Sequence, residues 1–219
     1  MRETRPAITF IDERSKEIYE KKKHALIGIS PCNSYYSKER IEQIVGWVLE
    51  EKFQDFHFFI GEGMWFYNFQ SFGYDPVLSQ KKMKEKNQQL LSKLKPILKK
   101  YNVSEEKIIR QKVLQLNPHY PLLLARSHVL IDQDAILAKI LREISLQLRN
   151  TGQQPTSVYP ELAMKGFALE LPLLLNTPGI LQVPSSLFVY HQNNNMYEYL
   201  YTTAKLQYAT QGFAVLKFE

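Results

Sequence analysis

Three kinds of side chain in this sequence of 219 residues have the means to do chemistry, and each stands in a setting that asks for a reason. Ser30 ends the apolar run "HALIGIS", with Gly28 two residues before it and Cys32, Asn33, Ser34, Tyr35, Tyr36 and Ser37 directly after. A seryl hydroxyl can accept an acyl group once its proton has somewhere to go. A serine at a strand end also caps the helix that follows. The small and polar neighbours, and a glycine within the strand, are what a closely approaching substrate requires. "GISPCN" is not the G-x-S-x-G elbow of the α/β-hydrolases, because Cys32 stands where the second glycine belongs. Cys32 has no basic neighbour to activate it and reads as a small buried hydrophobe.

The second kind is Glu170, alone in "FALELPLLLN". It either lies on an exposed helix face or is buried, and a buried carboxylate is costly until it meets a donor or a cation such as a substrate ammonium. The third kind is a lysine cluster: Lys81, Lys82, Lys84, Lys86, Lys93, Lys95, Lys99 and Lys100 lie within one stretch. Such a run is a solvated helix face or a docking surface for a polyanion such as RNA, which lysines bind through phosphates without reading sequence. The formal charge of +6 is concentrated there. His24, His57, His119 and His128 form no constellation along the chain, and no Cys/His group has zinc-ligand spacing, so neither a metal nor a cofactor is expected.

The elements that must position these groups follow from periodicity. Residues 24 to 30 form a strand. In "SKERIEQIVGWVLEEKF", Ile41, Ile44, Val45, Val48 and Leu49 recur at helical spacing, with Ser37 as N-cap. "FHFFIG" is a second strand, which completes a βαβ unit and requires a parallel pair. The Gly-punctuated, aromatic "GEGMWFYNFQSFGYDP" reads as a loop lining or covering a pocket. A helix over about residues 76 to 100 carries the lysines, with Pro96 as a kink point. "KIIRQKVLQL" reads as a third strand, residues 120 to 150 as helical, "TGQQPTS" as a break and "ELAMKGFALELPLLL" as a buried helix ended near Pro172. "SSLFVYH", "MYEYLYTTAKL" and "GFAVLKF" read as strand, helix and strand. The alternation predicts an open parallel-sheet α/β sandwich whose ligands sit beyond the carboxyl ends of the strands, where Ser30 lies. At 44% hydrophobic and 12% aromatic, the chain holds enough for one core, and a single domain over residues 1–219 is expected. One cysteine, no apolar leader and no run long enough to span a bilayer point to a soluble, cytoplasmic protein without a membrane partner.

Two of these stretches carry a resemblance. "HALIGISPCNSYYS" is similar to a strand ending in G-[IV]-S-x-x-N-S, and "ELPLLLNTPGILQVPSSLFVYH" to E-x-P followed by P-S-S-x-x-x-Y-H, the two motifs of the cyclodipeptide synthases. The likeness spans nearly the whole chain. It implies a Rossmann-like sandwich resembling the catalytic domain of class I aminoacyl-tRNA synthetases. It also implies an aminoacyltransferase that condenses two aminoacyl-tRNAs into a 2,5-diketopiperazine by ping-pong transfer. By position, Ser30 is then the nucleophile, Glu170 holds or deprotonates the substrate amine, and Tyr190 assists proton transfer. Asn33, Tyr190 and His191 match the subfamily with Asn, Tyr and His at these places, and the resemblance implies that Asn33 and His191 contact the substrate.

In that reading Leu26, Gly28, Phe59 and Leu173 line an apolar aminoacyl pocket suited to Leu, Phe or Met. Lys81, Lys82, Lys84, Lys86 and Lys93 hold tRNA. No ATP site is needed, since the ester is already activated, and neither a Walker loop nor a HIGH or KMSKS signature is present. A monomer whose product passes to tailoring enzymes is the expected context. One position departs: the family's tyrosine four residues before the motif glutamate is Gly166 here, with Tyr159 or the tyrosines near Tyr197 as replacements. A tRNA-binding homologue without catalysis, and an unrelated serine esterase, are the alternative readings.

Overall fold

The computed structural model describes residues 5–147, 159–203 and 208–218. In chain order these form β1 (Ala7–Phe10), α1 (Glu13–Glu20), β2 (His24–Ile29), α2 (Lys38–Glu50), β3 (Asp55–Ile60), α3 (Glu62–Ser71), α4 (Pro76–Lys100), β4 (Ile108–Arg110) and α5 (Gln111–Gln115). There follow α6 (Tyr120–Gln133), α7 (Ala135–Gln147), α8 (Pro160–Leu181), β5 (Ser186–Tyr190), α9 (Asn195–Thr202) and β6 (Gln211–Lys217). The strands make one sheet of six in the order β1-β6-β5-β2-β3-β4. All neighbours are parallel except β1, which runs antiparallel to β6 at one edge. The chain moves outward from β2 through β3 to β4, then returns through the helices to place β5 on the other side of β2 and β6 beyond it. The strand order therefore reverses between β2 and β5, and a crevice opens at their carboxyl ends.

Side chains alternate across the sheet with a period of two, so each face receives its own core. Ala25, Ile27 and Ile29 of β2 pack with Ile41, Val45 and Val48 of α2 and Leu90 and Leu94 of α4. On the opposite face Leu26 joins Phe59, Phe188 and Phe213 of the sheet with Leu171, Leu173 and Leu174 of α8 and Leu137 and Leu141 of α7. Caps fix the entry of two helices that matter here. Ser37 Oγ accepts the Arg40 N–H at 3.1 Å, and Asp75 accepts the Leu78 N–H at 2.9 Å with Pro76 in the first turn of α4.

The observed elements depart from the sequence reading in several places. The segment read as a loop after β3 is the helix α3. β4 is only Ile108–Arg110, and "QKVLQ" turns into α5. The helical stretch after residue 120 breaks at Asp134, whose backbone is extended and whose carboxylate caps α7 by accepting from Ile136 N at 3.2 Å and Leu137 N at 3.1 Å. α8 does not end at Pro172: its helical backbone passes that residue, is kinked at the non-helical Asn176, and resumes to Leu181. α4 continues through Pro96. β1 and α1 are additions, and "TGQQPTS" lies outside the described residues.

Leu26 and Leu173, expected to line the substrate pocket, are fully buried in the second core and are not among the residues that line the cavity beside Ser30. Leu26 shares a face with Gly28 but lies two residues, about 7 Å, further down the strand. Leu26→Ala should therefore act on stability, lowering the free energy of unfolding by about 2–5 kcal/mol in urea titration while leaving the product spectrum unchanged.

Candidate active site

The crevice at the strand-order reversal deepens into a cavity of about 570 Å³. β2 delivers Gly28 and, one residue past its end, Ser30; β3 delivers Phe59 and Gly61; β5 delivers Phe188 and Tyr190. α3 and α8 close it with Met64, Trp65, Phe167 and Glu170, and α9 adds Met196 and Tyr197. Ser30 is buried, and its Oγ accepts a hydrogen bond of 2.9 Å from the Trp65 indole Nε1–H. An indole nitrogen can only donate, so the hydroxyl hydrogen of Ser30 stays free to be given elsewhere. The space that Gly28 leaves is used by the protein itself: a Cβ there would lie 2.8 Å from Phe188 Cζ and 3.0 Å from Tyr190 Cδ2. Gly28 thus seats the two rings of β5 as well as bordering the cavity.

Asn33 and His191 belong to a hydrogen-bonded chain with a determinable direction. Tyr36 Oη donates to Gly28 O at 2.9 Å, so at 3.0 Å it must accept from His191 Nδ1–H. That leaves His191 Nε2 as the acceptor for Asn33 Nδ2 at 3.1 Å, while Asn33 Oδ1 takes the Tyr35 N–H at 2.9 Å. Burial holds the His191 pKa down at about 4, which keeps the ring neutral and able to accept. Asn33 borders the cavity; His191 does not. Its ring stacks on Tyr35 at 4.5 Å. The substrate contact expected of His191 is thus replaced by a positioning one: it ties the turn after β2 to the end of β5.

Glu170 is buried, its Oε1 has no hydrogen-bond partner, and desolvation raises its pKa to about 8. It is lodged against the backbone of Gly61, where a Cβ would lie 2.1 Å from Oε1. Tyr190 is raised well above the ordinary phenol range, chiefly by burial and then by the Glu170 charge, with interactions from Tyr36, Asn33 and Ser30 pulling the other way.

Gly166 faces α3 rather than the cavity. A Cβ on it would lie 2.9 Å from Met64 O and 3.0 Å from Met64 Cα, so the two helices touch backbone to backbone and no tyrosine fits. Tyr159 is 51% exposed at the start of α8 and lies away from the site. Tyr197 is buried and lines the cavity.

A family profile for cyclodipeptide synthases matches residues 7–218. The chain belongs to the cyclodipeptide synthase family. These are peptide-bond-forming enzymes, and the chain's relatives carry the family's names at modest identity. It is 26% identical over 201 residues to a cyclo(L-tyrosyl-L-tyrosyl) synthase of Mycobacterium tuberculosis, covering 88% of this chain and 69% of that one. It is 27% identical over 195 residues to a cyclo(L-leucyl-L-leucyl) synthase of Staphylococcus haemolyticus, covering 84% and 82%. The solved structure of a cyclodipeptide synthase from Staphylococcus haemolyticus superposes with a TM-score of 0.87 at 22% identity over 98% of this chain and 100% of that one. A Mycobacterium tuberculosis structure, whose description relates cyclodipeptide synthetases to type I tRNA synthetases, gives 0.82 at 23% identity over 100% and 98%. The Rossmann-like sandwich of this synthase is that fold.

Beside its cavity the synthase has a second groove, of about 630 Å³, between α3 and α4, lined by Phe66, Pro76, Val77, Gln80, Lys81, Lys84, Glu85 and Gln88. Lys81, Lys84 and Lys86 are exposed. Lys82 lies over the Tyr74 ring at 4.7 Å, and Lys93 donates to Tyr36 O at 3.2 Å, so these two already have partners within the fold. Trp65 and Gly61 carry no individual signal in the sequence, whereas Tyr197 stands among the candidate replacements for the missing tyrosine. The Gly-aromatic composition of "GEGMWFYNFQ" marks the pocket-lining segment, though not which ring reaches Ser30.

Glu170 also sets a pH signature. Its folded pKa of about 8 exceeds the ordinary 4.5, so the native state keeps a proton that the unfolded chain loses. The stability it contributes is complete below about pH 4.5 and falls away as pH rises through about 8. Glu170→Gln should raise the melting temperature by an increment that grows from pH 5 to pH 9, whereas a pH-independent increment would contradict the buried, unpaired carboxyl.

Proposed function

We propose that this cyclodipeptide synthase uses two aminoacyl-tRNAs and works through an aminoacyl ester on Ser30. The observation that carries the reading is the sharing of one cavity by a buried hydroxyl, oriented by an indole N–H, and a buried carboxyl whose Oε1 lacks a partner. In the first step Ser30 Oγ displaces the tRNA 3′-terminal oxygen from the aminoacyl carbonyl, and the hydroxyl proton ends on the departing tRNA. Two amide bonds then form in turn as each amine displaces an ester oxygen. The products are a second free tRNA, the cyclic dipeptide and a regenerated Ser30 hydroxyl. Each step exchanges an activated ester for an ester or an amide, so no nucleotide has to be consumed. The ester also keeps the first residue at the site while the second arrives, so the first amide forms between oriented partners and only ring closure is intramolecular.

Glu170 is suited to the substrate ammonium. An arriving cation supplies the partner that Oε1 lacks, favours the ionised carboxylate and draws the amine toward the free base. Tyr190, which interacts with both Glu170 and Ser30, is suited to carry the proton, and Tyr197 supplies the phenol that Gly166 cannot. The walls are apolar and aromatic, with Phe59, Met64, Phe167, Phe188 and Met196, which favours apolar aminoacyl groups such as Leu, Phe or Met. The groove with Lys81 and Lys84 lies across α3 from the cavity, a placement suited to tRNA phosphates whose acceptor end reaches Ser30. Asn33 and Gly28 shape the floor beside the nucleophile.

Co-expression with the host's charged tRNA should release a diketopiperazine. Ser30→Ala should abolish both the product and the mass increment of an aminoacyl group on the intact protein; product at wild-type yield from Ser30→Ala would refute the nucleophile. Turnover of simple aryl esters without tRNA would favour an esterase instead, and tRNA binding without any acyl-enzyme would favour a binding homologue. Exchanging Lys81, Lys84 and Lys86 for glutamine should weaken tRNA binding and reduce the slope of log affinity against log salt by about 2–3. An unchanged slope would place the tRNA elsewhere.

A further inference from the structure

The face of the sheet that carries Ser30 at one end carries a second polar group at the other. His24 opens β2 and lies in register with Asp55, the first residue of β3. His57 is two residues further along β3 and so projects from the same face. Six residues separate His24 from Ser30, which puts this group about 20 Å from the reacting hydroxyl. The cluster is thus separate from the site described above.

We propose that His24, Asp55 and His57 form a binding site for a divalent transition metal, with zinc the ion that suits two imidazoles and a carboxylate. One ligand atom from each residue lies within 4.8 Å of the other two. His24 Nε2 is 2.9 Å from His57 Nδ1, and His57 Nδ1 is 4.0 Å from Asp55 Oδ2. Ligand atoms bound at about 2.0–2.1 Å around a tetrahedral ion stand about 3.3 Å apart, midway between those two distances. The imidazoles must part slightly and the Asp55 carboxylate must swing inward by about an ångström, a movement that side-chain rotation supplies.

The surrounding groups present the right atoms. His24 is buried, and its Nδ1 lies 2.7 Å from Ser186 Oγ on β5. Donation of the Nδ1 proton to that hydroxyl leaves the lone pair on Nε2, the atom that faces the cluster, an outer-shell arrangement of the kind that orients metal-bound imidazoles. Asp55 spends Oδ1 on the Phe56 N–H at 2.8 Å and on Lys107, and turns Oδ2 toward His57. Without metal, a proton shared between His24 Nε2 and His57 Nδ1 occupies the centre. Binding releases that bridge: His57 takes its other tautomer, and the ion accepts both lone pairs. The side chains of His57 and Asp55 are 18% and 36% exposed, which leaves a side open for entry and for a water as fourth ligand. Lys107 competes for Asp55 and holds the affinity down. The bound ion would clamp β2 to β3 and, through Ser186, brace β5.

The test uses the full chain after dialysis against a chelator, with cobalt(II) as the spectroscopic probe and zinc(II) as the calorimetric one. The expected result is one equivalent bound, the visible bands of tetrahedral cobalt, and a melting temperature that rises with zinc. His57→Ala and Asp55→Asn should each weaken binding at least tenfold, and Lys107→Met should tighten it several-fold. His57 and Asp55 are partly exposed, so their variants should fold where a His24 variant could fail. Absence of saturable binding by the wild type, or binding unchanged in His57→Ala, would overturn the proposal, the latter by placing the ion on another histidine or on Cys32.

Discussion

The site depends on one close contact, the backbone-to-backbone approach of α3 and α8 where Gly166 meets Met64. Everything that makes Ser30 unusual follows from how near those helices come. α3 begins at the end of β3, and its first residue, Glu62, is held by Asn87 of α4 at 2.7 Å and by Arg110 at the end of β4 at 2.7 and 3.1 Å. Anchored there and pressed onto α8, α3 presents Trp65 to the hydroxyl and Gly61 to the carboxyl of Glu170. A side chain at Gly166 would push the helices apart and separate indole from serine. The departure from the family's tyrosine is in this sense a change of packing, and the buried phenol of Tyr197 already stands on the cavity wall.

The strand-order reversal sets the other half of the geometry. Parallel strands β2 and β5 end side by side, so Ser30 and Tyr190 emerge together without any loop having to bring them there. The Asn33–His191–Tyr36–Gly28 chain then locks the two ends to each other through three hydrogen bonds. Residues of the signature do different work in consequence: Asn33 and Tyr190 face the cavity, while His191 holds them in place from behind.

Much of this was legible in the sequence because it rests on periodicity and caps. β2, the Ser37 cap, the apolar stripe of α2, β3 and the long α4 all follow from spacing, and the end-of-strand position of Ser30 follows from them. α3 was not legible. Its residues, "EGMWFYNFQS", include a glycine and four aromatic rings and no clean stripe, because two neighbouring helices and the cavity each take one side of it. Leu26 and Leu173 were assigned to the pocket from proximity in sequence, yet depth along a strand decides whether a residue meets ligand or core. The His24–His57 pair is 33 residues apart in the chain and meets only through strand register, so no spacing rule could find it.

The hydrogen bond from Trp65 gives the chain a property of its own. There are two tryptophans: Trp65 touches the atom at which the proposed chemistry occurs, while Trp47 is buried among Ile44, Val48 and Phe53 in the core on the other face of the sheet. One indole therefore reads the state of Ser30 and the other stays constant. The protein's own fluorescence should therefore carry both a signal and its reference, by which the proposed loading and emptying of the serine would be followed without any label.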